Sequence, residues 1–327
     1  MKAVHIYERG KARIVETAVP TLKSNHALIR THRISLCASD VYMLRYALDE
    51  RYPYPIGATG HEIIGYVEAM DGEHPTVGIG EPTLVIVPDQ TGMCEYVVAP
   101  FENVLPLPKN APFEHLVQAQ QLGTVIYACK QLPNLIGKDV AVVGQGSAGM
   151  WFDVMLKRLG AKRIVAVDLQ AHRLAVSSHF GATHTVHNKG MTVEETQTAV
   201  REALGGNDPD VVVEAAGETH SINLAIELAK VEGFMLQFGV PHQDKFVVNY
   251  SELFRKRLTL KAIVYASLEE GHTSTLAALD MIAKGEIDVT PILTHTFPFE
   301  QVLDAYELQA TYDEGNIKII VEMPDGA

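Results

Sequence analysis

The sequence predicts an α/β chain of two domains, one a doubly wound parallel sheet and the other irregular and mostly β. Three observations carry that expectation. Short apolar runs alternate with amphipathic segments from Leu122 onward. The runs before that point are short, β-branched and punctuated by proline and glycine. One stretch, Val140 to Asp168, joins an apolar run, three spaced glycines, an amphipathic segment and a second apolar run closed by an aspartate.

Taken in order, residues 27–30, 65–68, 83–87 and 95–98 predict short strands, set apart by PYPIGATG and PDQTG. Further strands are predicted over 139–143, 163–168, 183–187, 210–214, 233–239 and 258–263, with helices over 150–159, 171–180, 193–204 and 220–230. Such alternation is the sequence form of a parallel sheet with covered faces, and six strands make two mononucleotide-binding halves. Beyond about residue 266 come a helical stretch over 273–284, PILTHTFPFE, another helical stretch and a strand over 317–322, a tail expected to rejoin the first domain. The domains are therefore drawn as 1–121 with 267–327, and 122–266.

The stretch VAVVGQGSAGMWFDVMLKRLGAKRIVAVD supplies each part a dinucleotide needs. Gly144 allows a tight turn, Gly146 lets the backbone approach a pyrophosphate, and Gly149 lets helix and strand pack closely. With Ser147 and Ala148 they open a helix whose unpaired N–H groups and dipole favour phosphate. Asp168 lies 168 − 149 = 19 residues beyond the last glycine, where a carboxylate accepts from the adenosine ribose. A 2′-phosphate would be repelled there, so NAD is favoured over NADP. Arg173 either accommodates such a phosphate or sits on the helix surface.

At 327 residues, with 47% hydrophobic and 20% charged residues, the chain has the composition of a soluble globular protein with two cores. The first residues, MKAVHIYERGKARIVE, carry charges throughout, and no apolar run reaches spanning length. Three cysteines, Cys37, Cys94 and Cys129, make no disulfide framework and fit a reducing cytoplasm. A net charge of −13 argues against nucleic acid or an anionic membrane as partner.

Two features of the first domain carry chemistry: Cys37-Ala38-Ser39-Asp40 and Gly60-His61-Glu62. Thiolate, imidazole and carboxylate are all zinc ligand types, and three protein ligands with one open position describe a catalytic site. Cys37 and His61 are 24 residues apart, so only the fold can bring them together. On residue types alone they read equally well as a core cysteine and a satisfied histidine.

The ordered series Cys-x-Ser-Asp, Gly-His-Glu-x-x-Gly, GMCEYVVAP, GxGxxG, EAAG at 214–217, FGVP at 238–241, THTFPFEQVLDAY and NIKIIVE resembles the zinc-type medium-chain dehydrogenases/reductases, the superfamily of alcohol, polyol and threonine dehydrogenases. CASDVYML and QLGTVIYACK are most similar to its sorbitol dehydrogenase-like branch. The resemblance implies a GroES-like catalytic domain beside a Rossmann domain, with turnover in the cleft between them. It makes Cys37 and His61 zinc ligands, and Glu62 a third ligand or a carboxylate close behind the metal. Ser39 becomes the hydroxyl that passes the alcohol proton outward, and Asp40 the acceptor that orients His61. Gly239 and Val240 become backbone that meets the nicotinamide, while Glu214 is read as a strand end. Where relatives often carry a further cysteine or glutamate at the metal, the matching position is Gln120, read as bonding a zinc-bound water. VPDQTG replaces the four-cysteine lobe of many relatives, so no structural zinc is expected.

Tyr42 either extends the relay from Ser39 or packs. Cys94, Cys129 and Trp151 are read as packing residues, and Arg255 and Lys256 as a solvated turn. The expected protein is a zinc-dependent, NAD-dependent dehydrogenase of a secondary alcohol or polyol, its partners that alcohol or ketone and, by resemblance, one or three copies of itself as a homodimer or homotetramer. The alternatives are a zinc-free enone or quinone reductase of the same superfamily and a non-catalytic NAD-binding protein.

Overall fold

The computed structural model describes residues 1–87, 89–263, 266, 269–311 and 315–324. The chain divides into two compact units, Met1–Thr124 with Ala266–Ala327, and Val125–Tyr265. The stretch read as replacing the four-cysteine lobe includes Pro88, and the domain boundary drawn at 267 falls on Ser267; both residues lie outside those described.

The first unit begins with a hairpin of β1 (Lys2–Glu8) and β2 (Lys11–Glu16). Next come β3 (His26–Ser35), α1 (Ala38–Arg45), β4 (Glu62–Asp71), β5 (Pro82–Val85), β6 (Tyr96–Pro100), β7 (Val104–Pro106), α2 (Phe113–Leu116) and α3 (Ala119–Cys129). β3 and β4 are longer than their apolar cores suggest, because antiparallel pairing carries them from His26↔Asp71 to Ser35↔Glu62. Gly65 in β4 has no alternative: a Cβ there would lie 2.3 Å from the Arg30 carbonyl oxygen.

The second unit is a six-stranded parallel sheet. Its elements are β8 (Asp139–Val143), α4 (Ser147–Arg158), β9 (Arg163–Asp168), α5 (Ala171–Ser177), β10 (His184–His187), α6 (Val193–Ala203), β11 (Val211–Glu214), α7 (Thr219–Leu228), β12 (Phe234–Gln237), α8 (Tyr250–Arg255) and β13 (Thr259–Ala262). The strand order is β10-β9-β8-β11-β12-β13, the doubly wound arrangement with its switch point between β8 and β11. Every residue of β8 is buried, as a strand covered on both faces requires.

The remaining elements belong to the first unit: α9 (Thr273–Ala283), β14 (Leu293–Pro298), α10 (Val302–Thr311) and β15 (Lys318–Glu322). β15 pairs antiparallel with β3 (Ile320↔Ser35) and parallel with β14, giving a sheet of order β14-β15-β3-β4-β5-β7, with β6 also on β3. One core cluster gathers Ile29, Ile34, Leu36, Ile63, Phe299, Tyr306 and Ile319 behind this sheet.

One element departs from the sequence reading. The turn expected at Arg255 and Lys256 is the end of α8. Lys256 is 8% exposed, and its ammonium donates to the carbonyl oxygens of Ile226 (3.2 Å) and Glu227 (2.6 Å) at the C-terminal end of α7.

Candidate metal and dinucleotide sites

Strand register explains how residues 24 positions apart meet. Ser35 ends β3 and Glu62 opens β4, and the two are paired. Cys37, two residues past one strand end, is thereby brought to His61, one residue before the other. Donor atoms of Cys37, His61 and Glu62 all lie within 4.8 Å of one another, forming a candidate metal-binding group of thiol, imidazole and carboxylate among the described residues. That donor set fits one zinc ion with a coordination position left open.

Without a metal, the electrostatics favour a thiolate on Cys37 paired with a protonated ring on His61, which must give up that proton to ligate. Burial works to raise the Cys37 thiol, but a hydrogen bond with His61, helped by the positive charge of Lys318, brings it below its usual value. Burial likewise opposes charge on His61, yet Asp40 and Cys37 raise the ring well above its usual value. The pair therefore leans toward thiolate, the form a metal binds.

Asp40 is fully buried in the first turn of α1. Its carboxylate accepts from the backbone N–H of Cys37 (2.8 Å) and of Gly60 (3.1 Å), tying the two ligand-bearing loops together. Its Oδ1 lies 3.7 Å from His61 Nδ1, beyond hydrogen-bond length. Behind it, Thr59 Oγ1 and the buried Tyr306 hydroxyl are 2.5 Å apart. The Ser39 hydroxyl is buried and takes no hydrogen bond among the described residues. Tyr42 packs against the core of the unit.

Two neighbours of the cluster escaped the sequence reading. Lys318, first residue of β15 and fully buried, donates to Glu62 Oε1 (2.7 Å) and to the Leu36 carbonyl oxygen (2.9 Å). Glu62 Oε2 is also 2.7 Å from the ammonium, so Lys318 sits in the fork of the carboxylate. The signal was one lysine opening the apolar strand KIIV. The second is Gln121, whose amide Nε2 donates to Cys37 Sγ at 3.6 Å. One residue is about 100° of helix rotation, so Gln120 faces a different direction on α3.

In the second unit each glycine has its own reason. Gly144 has φ +94, and a Cβ there would lie 2.9 Å from Ala216 N. A Cβ on Gly149 would lie 2.0 Å from the Gly144 carbonyl oxygen, so α4 packs directly on the turn. Gly146, the N-cap of α4, would meet nothing within 4 Å, and that open space beside uncapped N–H groups is what a pyrophosphate needs. Ser147 and Ala148 follow in the first turn of α4. Asp168 ends β9, 8% exposed, and already accepts from the backbone N–H groups of Gln145 (2.5 Å) and Gln170 (2.7 Å), which fixes its carboxylate at the tip of the strand. Arg173 is half-buried in α5. Gly239 and Val240 follow β12 and interlock with Gly217: a Cβ on Gly217 would lie 2.0 Å from the Val240 carbonyl oxygen.

Elsewhere, burial pushes the Cys94 and Cys129 thiols up to about 12, which makes them inert packing groups. Trp151 is fully buried, edge-on to Phe180 at 5.4 Å between ring centres.

Comparison with known proteins agrees with this geometry. The family model described as the alcohol dehydrogenase GroES-like domain matches residues 23–109, and that described as zinc-binding dehydrogenase matches residues 149–284. Sorbitol dehydrogenase 1 of Saccharomyces cerevisiae is 25% identical over 99% of this chain and 98% of its own length. Galactitol 1-phosphate 5-dehydrogenase of Escherichia coli is 25% identical over 93% and 95%. The crystal structure of galactitol-1-phosphate dehydrogenase from Escherichia coli superposes with a TM-score of 0.82 at 22% identity, covering 98% of this chain and all of that one. Fold, motif order and relatives of nearly equal length converge, and the chain belongs to the zinc-type medium-chain dehydrogenase/reductase superfamily.

Proposed function

We propose that the protein is an NAD(H)-dependent, zinc-dependent oxidoreductase that interconverts a secondary alcohol, polyol or sugar-like alcohol and its ketone. The observation that carries this reading is the convergence of Cys37, His61 and Glu62 beside an unsatisfied Ser39 hydroxyl. The relatives named sorbitol, galactitol 1-phosphate and L-threonine dehydrogenase support the substrate class.

When bound, zinc supplies Lewis acidity toward the substrate oxygen, and the nicotinamide gives or takes the hydride. The chain does the rest. Cys37 and His61 hold the metal, while Glu62, kept by Lys318, ligates it or balances its charge from behind. Ser39 Oγ would relay the alcohol proton on oxidation, accepting it while giving its own hydrogen outward to solvent, and would run the same exchange in reverse on reduction. Asp40 holds both ligand loops, and the Gln121 amide supports Cys37. The N–H groups at Gly146, Ser147 and Ala148 receive the pyrophosphate, with Gly144 and Gly149 shaping the turn. Asp168 accepts from the adenosine ribose, Arg173 stands beside it, and backbone at Gly239 and Val240 meets the nicotinamide.

A homodimer or homotetramer accompanies this reading. β13 is an edge strand with Leu260 44% exposed, and Tyr250 and Phe254 of α8 are 67% and 71% exposed. Three free thiols support residence in the cytoplasm, and among the described residues no helix is long and apolar enough to cross a membrane.

The test is zinc content, NADH binding and alcohol oxidation measured on wild type and Cys37→Ser. About one zinc per chain, with turnover lost and NADH affinity kept in the variant, is the expected result. Turnover by the variant would sink the zinc mechanism, and a wild type that binds NADH but no zinc would favour reduction of an enone.

A further inference from the structure

Glu214 does more than end β11. It is fully buried, and its carboxylate is the meeting point of two turns at the carboxyl ends of β11 and β12. Oε1 accepts from the backbone N–H of Ala216 (2.9 Å) and Gly217 (2.8 Å) and from the Ser221 hydroxyl (2.7 Å). Oε2 accepts from Gln237 Nε2 (2.5 Å), and the same nitrogen reaches the Gly239 carbonyl oxygen (3.2 Å). The Glu214 main-chain oxygen accepts from Phe238 N (2.9 Å) and Gly239 N (3.0 Å).

Glycine makes this knot possible. A Cβ on Gly239 would lie 2.2 Å from Gly217 N and 2.8 Å from Glu214 Oε2, so the turns touch backbone to backbone. The turn at 215–217 also abuts Gly144, whose added Cβ would meet Ala216 at 2.9 Å. Four side-chain acceptor bonds on a buried group call for a carboxylate, which accepts at every lone pair and donates nowhere. A glutamine would set its own NH2 against that of Gln237 or against backbone N–H groups.

We infer that Glu214 is a positioning residue for the dinucleotide: it locks the backbone at 238–240 against the turn at 215–217 and thereby fixes where the nicotinamide end of the cofactor lies. This rests on the dinucleotide reading above. The adenosine end is held separately, by the Gly146 turn and Asp168, so the two ends respond differently to a change at Glu214.

The experiment titrates NADH and ADP-ribose, which lacks the nicotinamide, against wild type, Glu214→Gln and Gln237→Met, with zinc per chain and the thermal midpoint measured on each. Glu214→Gln is expected to weaken NADH and raise KM for NAD about tenfold, the effect of one or two broken buried hydrogen bonds. ADP-ribose affinity and zinc content stay at the wild-type value. Gln237→Met, which removes the side-chain link to the 238–240 turn and leaves the other three bonds to the carboxylate and both main-chain bonds, shifts NADH in the same direction by about threefold; it decides the matter if Glu214→Gln does not fold. Unchanged NADH affinity in both variants, or equal loss of NADH and ADP-ribose, overturns the inference. A wild type that binds neither ligand overturns the dinucleotide reading itself.

Discussion

Asp153 shows what one side chain costs. It lies wholly buried in α4, and among the described residues neither carboxylate oxygen takes a hydrogen bond of good geometry. Burial drives its pKa well above the ordinary carboxylate value, against the opposing effect of the Gln145 amide. The native state therefore holds a proton that the unfolded chain releases from about pH 4 upward. The stability this contributes is full below the unfolded value and is lost as pH rises through the folded one. Asp153→Leu, of similar volume and without charge, is expected to raise the thermal midpoint at pH 8 by several degrees, an effect of about 1–3 kcal/mol, and to shrink the gain on acidification to pH 5. Equal midpoints for variant and wild type at both pH values would contradict this. No periodicity argument finds such a residue, because WFDVML places an acid where the helix is otherwise apolar and only the packed structure shows the missing partners. Cys37 and His61 were legible as chemistry only through the order of motifs around them. Lys318 showed only as a lysine opening an apolar strand, and its role arises from the pairing of β15 with β3. Gln121 was not singled out, because VQAQQLG carries no cap residue to fix the phase of α3.

The glycines separate two uses of one element. Gly149→Ala would force a Cβ to 2.0 Å from the Gly144 carbonyl oxygen, so α4 must move off the turn; a loss of about 2–3 kcal/mol is expected in chemical denaturation. Gly146→Ala meets nothing in the protein, so it should keep the wild-type midpoint and lose NADH affinity about tenfold or more, because the methyl fills space reserved for the pyrophosphate. Equal effects of the two substitutions on folding would refute the division. β8 and β9 were legible to the residue, since buried parallel strands read as unbroken β-branched runs bounded by glycine. α8 was not: none of its residues is buried, so it leaves no apolar stripe to read, and it is held by Asn249 at its start and Lys256 at its end.

On the scale of the whole chain, the candidate metal-binding group sits on strand ends backed by a packed apolar core. Ile34, Leu36, Ile63 and Ile64 are fully buried around it, and the Glu62–Lys318 pair is complete without metal. Chelation is expected to abolish turnover while moving the thermal midpoint by only a few degrees and leaving NADH binding intact; global unfolding on chelation would show that the ion holds the unit together. The fold class was legible because two periodicities divide the chain. The long-range pairing that completes the site was not, because nothing local encodes it.

That pairing also sets an order in time. Residue 318 follows residue 62 by 256 positions, and chains are made from the N-terminus. While the ribosome is still translating the cofactor unit, Glu62 has no counter-charge and Leu36 no donor for its carbonyl. The place proposed for the ion is thus completed only after the cofactor unit has been translated, so that loading with metal would follow the folding of the dinucleotide unit.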